Sequence, residues 1–315
     1  MEKDLIKKPI AHINKENSII KVISILRVFR FMDAAVFTCL PLMGIIVSVY
    51  QHHISQISIP SSLLYILVVY LLAIHVFLIN DWADYYADRN DLHKSEESKQ
   101  HLSVKHYLLI AIISGIIPVF LLLCFSAVKF LIGFILVLLS LMYSTNLFNL
   151  HGKSIPGFAT FLHILGGMFA FLLGYLFFGD FNIHAVLAGI MCGVFLSAGH
   201  IFQEIQDFKG DRINKIITIA NTIGKKPAAL VGLTLIFCAH TIFQYLIYKE
   251  FLPNLSLINW MVFAICAVFI LLSIKSGLDH RSIKLLRTKY RIIYAVFGIY
   301  IFIQIYIHYK SINHV

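Results

Sequence analysis

Nine apolar runs constrain this chain more than any other feature. They lie near residues 31–51, 62–80, 106–125, 128–148, 157–179, 184–206, 227–248, 256–275 and 291–311, and each is 19–23 residues long. A helix of ~20 residues spans the ~30 Å hydrocarbon core of a bilayer. Within that core every backbone N–H and C=O must be satisfied internally, which leaves helices for runs of this length. The expected fold is therefore all-α: a polytopic membrane protein of about nine transmembrane helices around a central cavity open toward the cytoplasmic side. Composition agrees, with 59% hydrophobic and 13% charged residues against roughly 25% charged in soluble domains. The expected organisation is a cytoplasmic N-terminal arm, 1–30, and a single transmembrane domain, 31–315, with no soluble unit large enough to fold alone.

The arm carries Lys3, Lys7, Lys8, Lys15, Lys21, Arg27 and Arg30 without an apolar core, so it does not read as a secretory signal. Cys39, Cys124, Cys192, Cys238 and Cys266 all sit in apolar runs without paired spacing. They read as buried small hydrophobes rather than disulfides or metal ligands.

A net charge of +10 could suggest nucleic acid, but its distribution points elsewhere. With the N-terminus inside, 23 of the 26 Lys and Arg residues fall on one side, in the arm and the loops near 81–105, 149–156, 207–226 and 275–291. Lys129, Lys249 and Lys310 fall on the other. The positive-inside rule then puts the N-terminus in the cytoplasm and the C-terminus outside. The basic surface faces anionic lipid or an anionic substrate, not nucleic acid. The expected location is multi-pass in a cell membrane of the bacterial inner-membrane type; oligomeric state is not legible.

Acids are scarce, 16 in 315 residues, yet nine fall in two short windows. The first, 81–97, begins in "NDWADYYAD", with Asn80, Asp81, Asp84 and Asp88; the second, 204–211, lies in "QEIQDFKGD", with Gln203, Glu204, Asp207 and Asp211. Both read amide, acid, then acids at +3 and +7, offsets that share one helical face. Each follows an apolar run and is expected at the inner end of a helix. The 123-residue separation suggests an internal duplication. Asp91, Glu96 and Glu97 lie beyond the pattern and read as solvated loop charges.

Carboxylates at helix C-termini oppose the macrodipole, and like charges at i,i+3 and i,i+4 repel. A positive partner must offset both penalties. Mg²⁺ is commonly held by one or two carboxylates together with waters and substrate phosphates. Two acidic helix ends facing each other could thus grip a diphosphate through shared Mg²⁺.

At these residues the chain resembles the UbiA-type intramembrane prenyltransferases. "NDWADYYAD" is similar to their N-D-x-x-D-x-x-x-D motif. "DFKGDR", followed by Thr218 and Gly224, is similar to their second motif, and nine spans with the N-terminus inside match as well. The resemblance implies Mg²⁺-dependent transfer of a prenyl group from its diphosphate to a membrane-accessible acceptor. Asn80, Asp81, Asp84 and Asp88 would serve one metal side, and Glu204, Asp207 and Asp211 the other. Asp84 and Asp207 are the acids expected to matter most. Gln203, Glu204, Lys209 and Ile217 depart from commoner family residues.

The leaving diphosphate develops negative charge, so fixed cations near it would assist. Arg30 opens the first run as an arginine does in the family, and Tyr143 with Lys153 resembles the family's loop Tyr…Lys pair. Lys94, Arg212 and Lys215 are further candidates, and the loop 89–105 could act as a lid that excludes water. His200, four residues before Glu204, could take a proton or orient a ligand; a satisfied intramembrane histidine is the plainer reading, as for His163 and His240. Gly166, Gly167 and Gly174 are expected at close helix contacts. The acceptor expected is an aromatic ring of quinone-precursor type. Two alternatives stand: a terpene cyclase of the same family, and a cation transporter, which the clustering of acids at one end disfavours.

Overall fold

The computed structural model describes residues 30–54, 58–85, 104–147, 152–214 and 216–313. Asp88, Lys94, Lys215, the arm through residue 29 and loop residues 89–103 lie outside the described residues. The described residues form ten helices and no strand: α1 (Phe31–His52), α2 (Ile59–Ala83), α3 (Val104–Leu123), α4 (Ala127–Ser144), α5 (Phe158–Tyr175), α6 (Ile183–Ile213), α7 (Ile219–Ile223), α8 (Lys225–Tyr248), α9 (Ser256–Lys275) and α10 (His280–Asn313). All but the five-residue α7 are long and apolar enough to cross a membrane. The expected nine-span, all-α architecture is thus observed.

Two helices run well past their apolar stretches. α6 continues to Ile213, so Glu204 and Asp207 lie within a helix rather than at its end. No proline follows Phe202 to stop it, and Gly210 alone is a weak breaker. α10 begins at His280, eleven residues before the expected span, so the basic segment 275–291 is mostly helix. Its first turns are amphipathic: Ile283 and Leu286 are buried while Arg281, Lys284 and Leu285 face outward.

Small residues let the central helices touch. A methyl on Gly174 would collide with the Pro41 carbonyl of α1, and one on Gly167 with the backbone of Gly193 in α6. Gly166 is different, since a methyl there meets nothing; its neighbour alone makes the contact. The cysteines also divide. All are free, Cys192 and Cys266 are buried, but Cys39, Cys124 and Cys238 lie on the outer surface, where lipid suits a small apolar side chain as well as a core does.

The interior separates into three apolar clusters. One, including Ile74, Leu78, Ile79, Tyr85, Tyr107 and Ala111, underlies the acid-bearing end of α2. A second, including Ile201, Phe202, Ile205, Ala220, Ile283 and Leu286, underlies the acids of α6. The third fills the other half of the bundle, around Tyr65, Phe171, Phe243 and Phe297. Each acidic stretch therefore stands on its own apolar floor.

Candidate active site

α2 ends in the first acidic stretch. Asn80 and Asp81 form its last turn, and Asp84 takes the C-cap position, its N–H donating to the Asn80 carbonyl at 2.9 Å. Lys153 comes to Asp84 from another part of the chain. It sits in a 3-10 turn, Gly152–Ser154, between α4 and α5, and its Nζ lies 2.5 Å from Asp84 Oδ2. The approach depends on Gly152, where a Cβ would press into the Met142 carbonyl and the Leu162 side chain. Both members of the pair are largely buried, with side chains 16% and 12% exposed, so each offsets the desolvation of the other.

Arg30 stands at the start of α1, its Nε 3.0 Å from Asp33 Oδ2 and 3.8 Å from Asp81 Oδ2. The guanidinium also lies over the Phe77 ring. Asp33 is an acid that the sequence reading passed over. It is a lone carboxylate one turn inside an apolar helix, and its spacing of three from Arg30 was the available signal.

The second stretch is held differently. Glu204 is 4% exposed. Its Oε2 accepts the Ala220 N–H at 3.2 Å, and its Oε1 lies 3.2 Å from His200 Nε2. Ala220 belongs to α7, whose N-cap is Thr218, with Oγ1 accepting the Asn221 N–H. Glu204 therefore ties the Thr218 loop back onto α6. His200 stacks on His163 with ring centroids 4.0 Å apart, and the His163 Nδ1–H donates to the Ala159 carbonyl. His240 is separate, bound to Asn259 and Tyr294 in the bundle interior, as a satisfied histidine should be.

Tyr143 joins the two halves. Its ring meets His163 and His200 edge-on at 5.0 and 5.9 Å. His200 in turn faces Glu204 of the second stretch, while Tyr143 lies at the end of the helix whose following turn sets Lys153 on Asp84 of the first. The two stretches are thus linked through the end of α4. Arg212 is not brought there; it is exposed, its guanidinium over the Phe208 ring.

Arg287 of α10 is the other residue missed from sequence, where it counted only as an inner-side charge. It donates to Gln206 Oε1 at 2.7 Å and to Gln203 Oε1 at 3.2 Å, on the α6 turn that carries Glu204 and Asp207.

Among the described residues no three acid, histidine or cysteine side chains cluster closely enough to form a ready metal site. The donor set still fits Mg²⁺, which takes hard oxygen ligands and commonly only one or two carboxylates, with phosphates and waters filling the rest. Each stretch can offer that many, Asp81 and Asp84 on one side and Asp207 and Asp211 on the other. The arrangement can surround an anionic group bridged by cations, with Lys153 and Arg30 adding fixed charge.

Solved structures share this fold. A UbiA homologue from Archaeoglobus fulgidus bound to GPP and Mg²⁺ superimposes with a TM-score of 0.67 at 19% identity, covering 89% of this chain and 98% of that one. A digeranylgeranylglyceryl phosphate synthase gives 0.63 at 20% identity over 89% and 98%. An apo UbiA homologue from Aeropyrum pernix K1 gives 0.65 at 17% over 85% and 98%. No curated protein matches the chain in sequence. The sequence profile of the UbiA prenyltransferase family, however, matches residues 35–299, most of the membrane domain and both acidic stretches. The chain belongs to the UbiA prenyltransferase family.

Proposed function

We propose that this prenyltransferase moves a prenyl group from its diphosphate to an aromatic acceptor of quinone-precursor type, within the membrane and with Mg²⁺. The observation that carries this reading is Tyr143: its ring lies against His200, which faces Glu204 of the second stretch, and its helix leads into the turn that sets Lys153 on Asp84 of the first. Two carboxylate sets around one space suit a diphosphate bridged by divalent cations. The structural relative from A. fulgidus was seen with GPP and Mg²⁺, and also with DMAPP and Mg²⁺.

In the proposed reaction the allylic C–O bond breaks, pyrophosphate leaves with the bonding pair, and a carbon–carbon bond forms to the ring. The ring proton then passes to the released pyrophosphate, which restores aromaticity. Asp81 and Asp84, with Asn80 and Asp88, would hold metal on one side, and Asp207 and Asp211 on the other. When bound, Mg²⁺ supplies charge stabilisation for the departing diphosphate. Lys153 neutralises Asp84 and presents its ammonium to the same space, and Arg30 does so beside Asp81. Glu204, occupied by Ala220 and His200, braces the Thr218 loop against α6.

The reading is tested by adding prenyl diphosphates of several lengths, with aromatic acids, to the protein in proteoliposomes. Pyrophosphate release together with a prenylated aromatic product by mass spectrometry supports it. Release with a cyclic hydrocarbon identifies a cyclase, and no release in any combination removes the proposal. The acid-bearing end is proposed to face the cytoplasm, given the 23-to-3 split of Lys and Arg. In a background without native cysteines, a cysteine at Ser154 or Ser276 should resist an impermeant thiol reagent outside intact cells, while one at Ser58 should react. The reverse pattern inverts the orientation.

A further inference from the structure

α10 is a peripheral helix attached along one stripe. Ile292, Val296 and Ile299 are more than half exposed, whereas Phe297, Ile301 and Ile305 are buried against the bundle. Followed back toward the acid-bearing end, that stripe runs through Tyr294, Tyr290 and Arg287 at helical spacing. Here the attachment turns polar. Tyr294 Oη lies 3.0 Å from His240 Nε2 of α8, and the Tyr290 hydroxyl donates to the Phe195 carbonyl of α6 at 2.6 Å. Arg287 then grips Gln206 and Gln203. Such a fork fixes orientation in a way a single donor cannot.

The grip has an unusual feature for a cation in an acid-rich site. Both terminal nitrogens go to neutral amide oxygens. The two amides precede Glu204 and Asp207 directly. Holding them at i and i+3 fixes the rotation of that α6 turn, and with it the direction of the Asp207 carboxylate. We propose that Arg287 is a positioning residue for prenyl transfer, clasping Gln203 and Gln206 so that Asp207 faces the first acidic stretch across Tyr143. The inference rests on the prenyl-transfer reading and adds a residue from the last helix to it. Groups that orient metal-binding side chains commonly change metal affinity or activity by about ten- to a hundredfold when removed.

The test uses the full chain in nanodiscs, as wild type, Arg287→Gln, Arg287→Lys and the double variant Gln203→Ala with Gln206→Ala. Two readouts are taken: kcat and KM from pyrophosphate release, and Mn²⁺ binding by electron paramagnetic resonance. The second is run with a prenyl thiolodiphosphate that does not ionise, so it needs no turnover. Arg287→Gln and the glutamine pair should each raise the half-saturating Mn²⁺ concentration about tenfold and lower kcat by a similar factor. Arg287→Lys, with charge but no fork, should recover only part of this. Combining Arg287→Gln with the glutamine pair should add little. A bracing role confined to stability would lower the melting temperature or yield and leave Mn²⁺ half-saturation unmoved, and that result overturns the clasp. If Arg287→Gln does not fold, the glutamine pair and Arg287→Lys read the same clasp. Wild type that neither binds Mn²⁺ with the analogue nor releases pyrophosphate overturns the prenyl-transfer reading and the inference together. Wild type that does both, with unchanged variants, overturns the inference alone.

Discussion

The two acidic stretches share a spelling and differ in almost everything that supports it. In the first, Asp84 caps the end of α2 and pairs directly with Lys153, and Asp81 stands near Arg30. In the second, the acids ride on an unbroken helix, and the cation opposite them reaches amides instead of carboxylates. The contrast is sharpest at matched positions. Asp81 keeps a quarter of its side chain exposed, while its counterpart Glu204 is buried, with Ala220 and His200 against its two oxygens. Equal spacing put both sets on one helical face; it did not give matched residues equal tasks. The first is held by the Lys153 and Arg30 contacts to Asp84 and Asp81, and the second is braced by α7 and α10 around it.

The comparison predicts a graded series of losses. Asp84→Asn and Asp207→Asn should be the most damaging, each costing on the order of 10²–10³ or more in kcat, as for a single electrostatic group aimed at developing charge. Pyrophosphate release at saturating substrate measures this, and near-normal rates in either would remove that stretch from the chemistry. Lys153→Gln should follow, at about ten- to a hundredfold, because it leaves Asp84 without its partner. Glu204→Gln should cost least, under about tenfold, since an amide oxygen still accepts the Ala220 N–H. Asp81→Asn should cost more than Glu204→Gln, and the opposite order would make Glu204 a ligand and erase the contrast. Glu204→Ala should destabilise the fold by about 1–3 kcal/mol, because it strands a buried N–H; thermal unfolding checks that.

Much of this was legible in the sequence. Nine apolar runs specified the bundle because a bilayer permits few other structures, and the two acidic patterns marked the site because carboxylates are costly beside lipid. Lys153 was named through a motif, and the structure shows it on Asp84. What stayed hidden depended on packing. Hydropathy stops where charge begins, so the continuation of α6 to Ile213 and the early start of α10 at His280 were missed; amphipathic turns hold both. Arg287 looked like one more inner-side arginine, since nothing local in "KLLRTKYR" reveals two glutamines 81 and 84 residues away. Glu204 fitted the acid pattern, and its spacing from His200 was legible, but its other oxygen takes the Ala220 N–H of α7, a contact no spacing encodes.

The central claim is that the two stretches form one site around Tyr143. A double-mutant cycle between Asp84 and Asp207 tests it most directly, reading pyrophosphate release from wild type, Asp84→Asn, Asp207→Asn and the pair, with the folded fraction verified for each. Groups that act as a unit are far from additive. One shared site predicts that the double variant is hardly slower than the worse single variant. A double variant whose rate falls by the product of the two single losses would show two sites working independently, and would contradict the account.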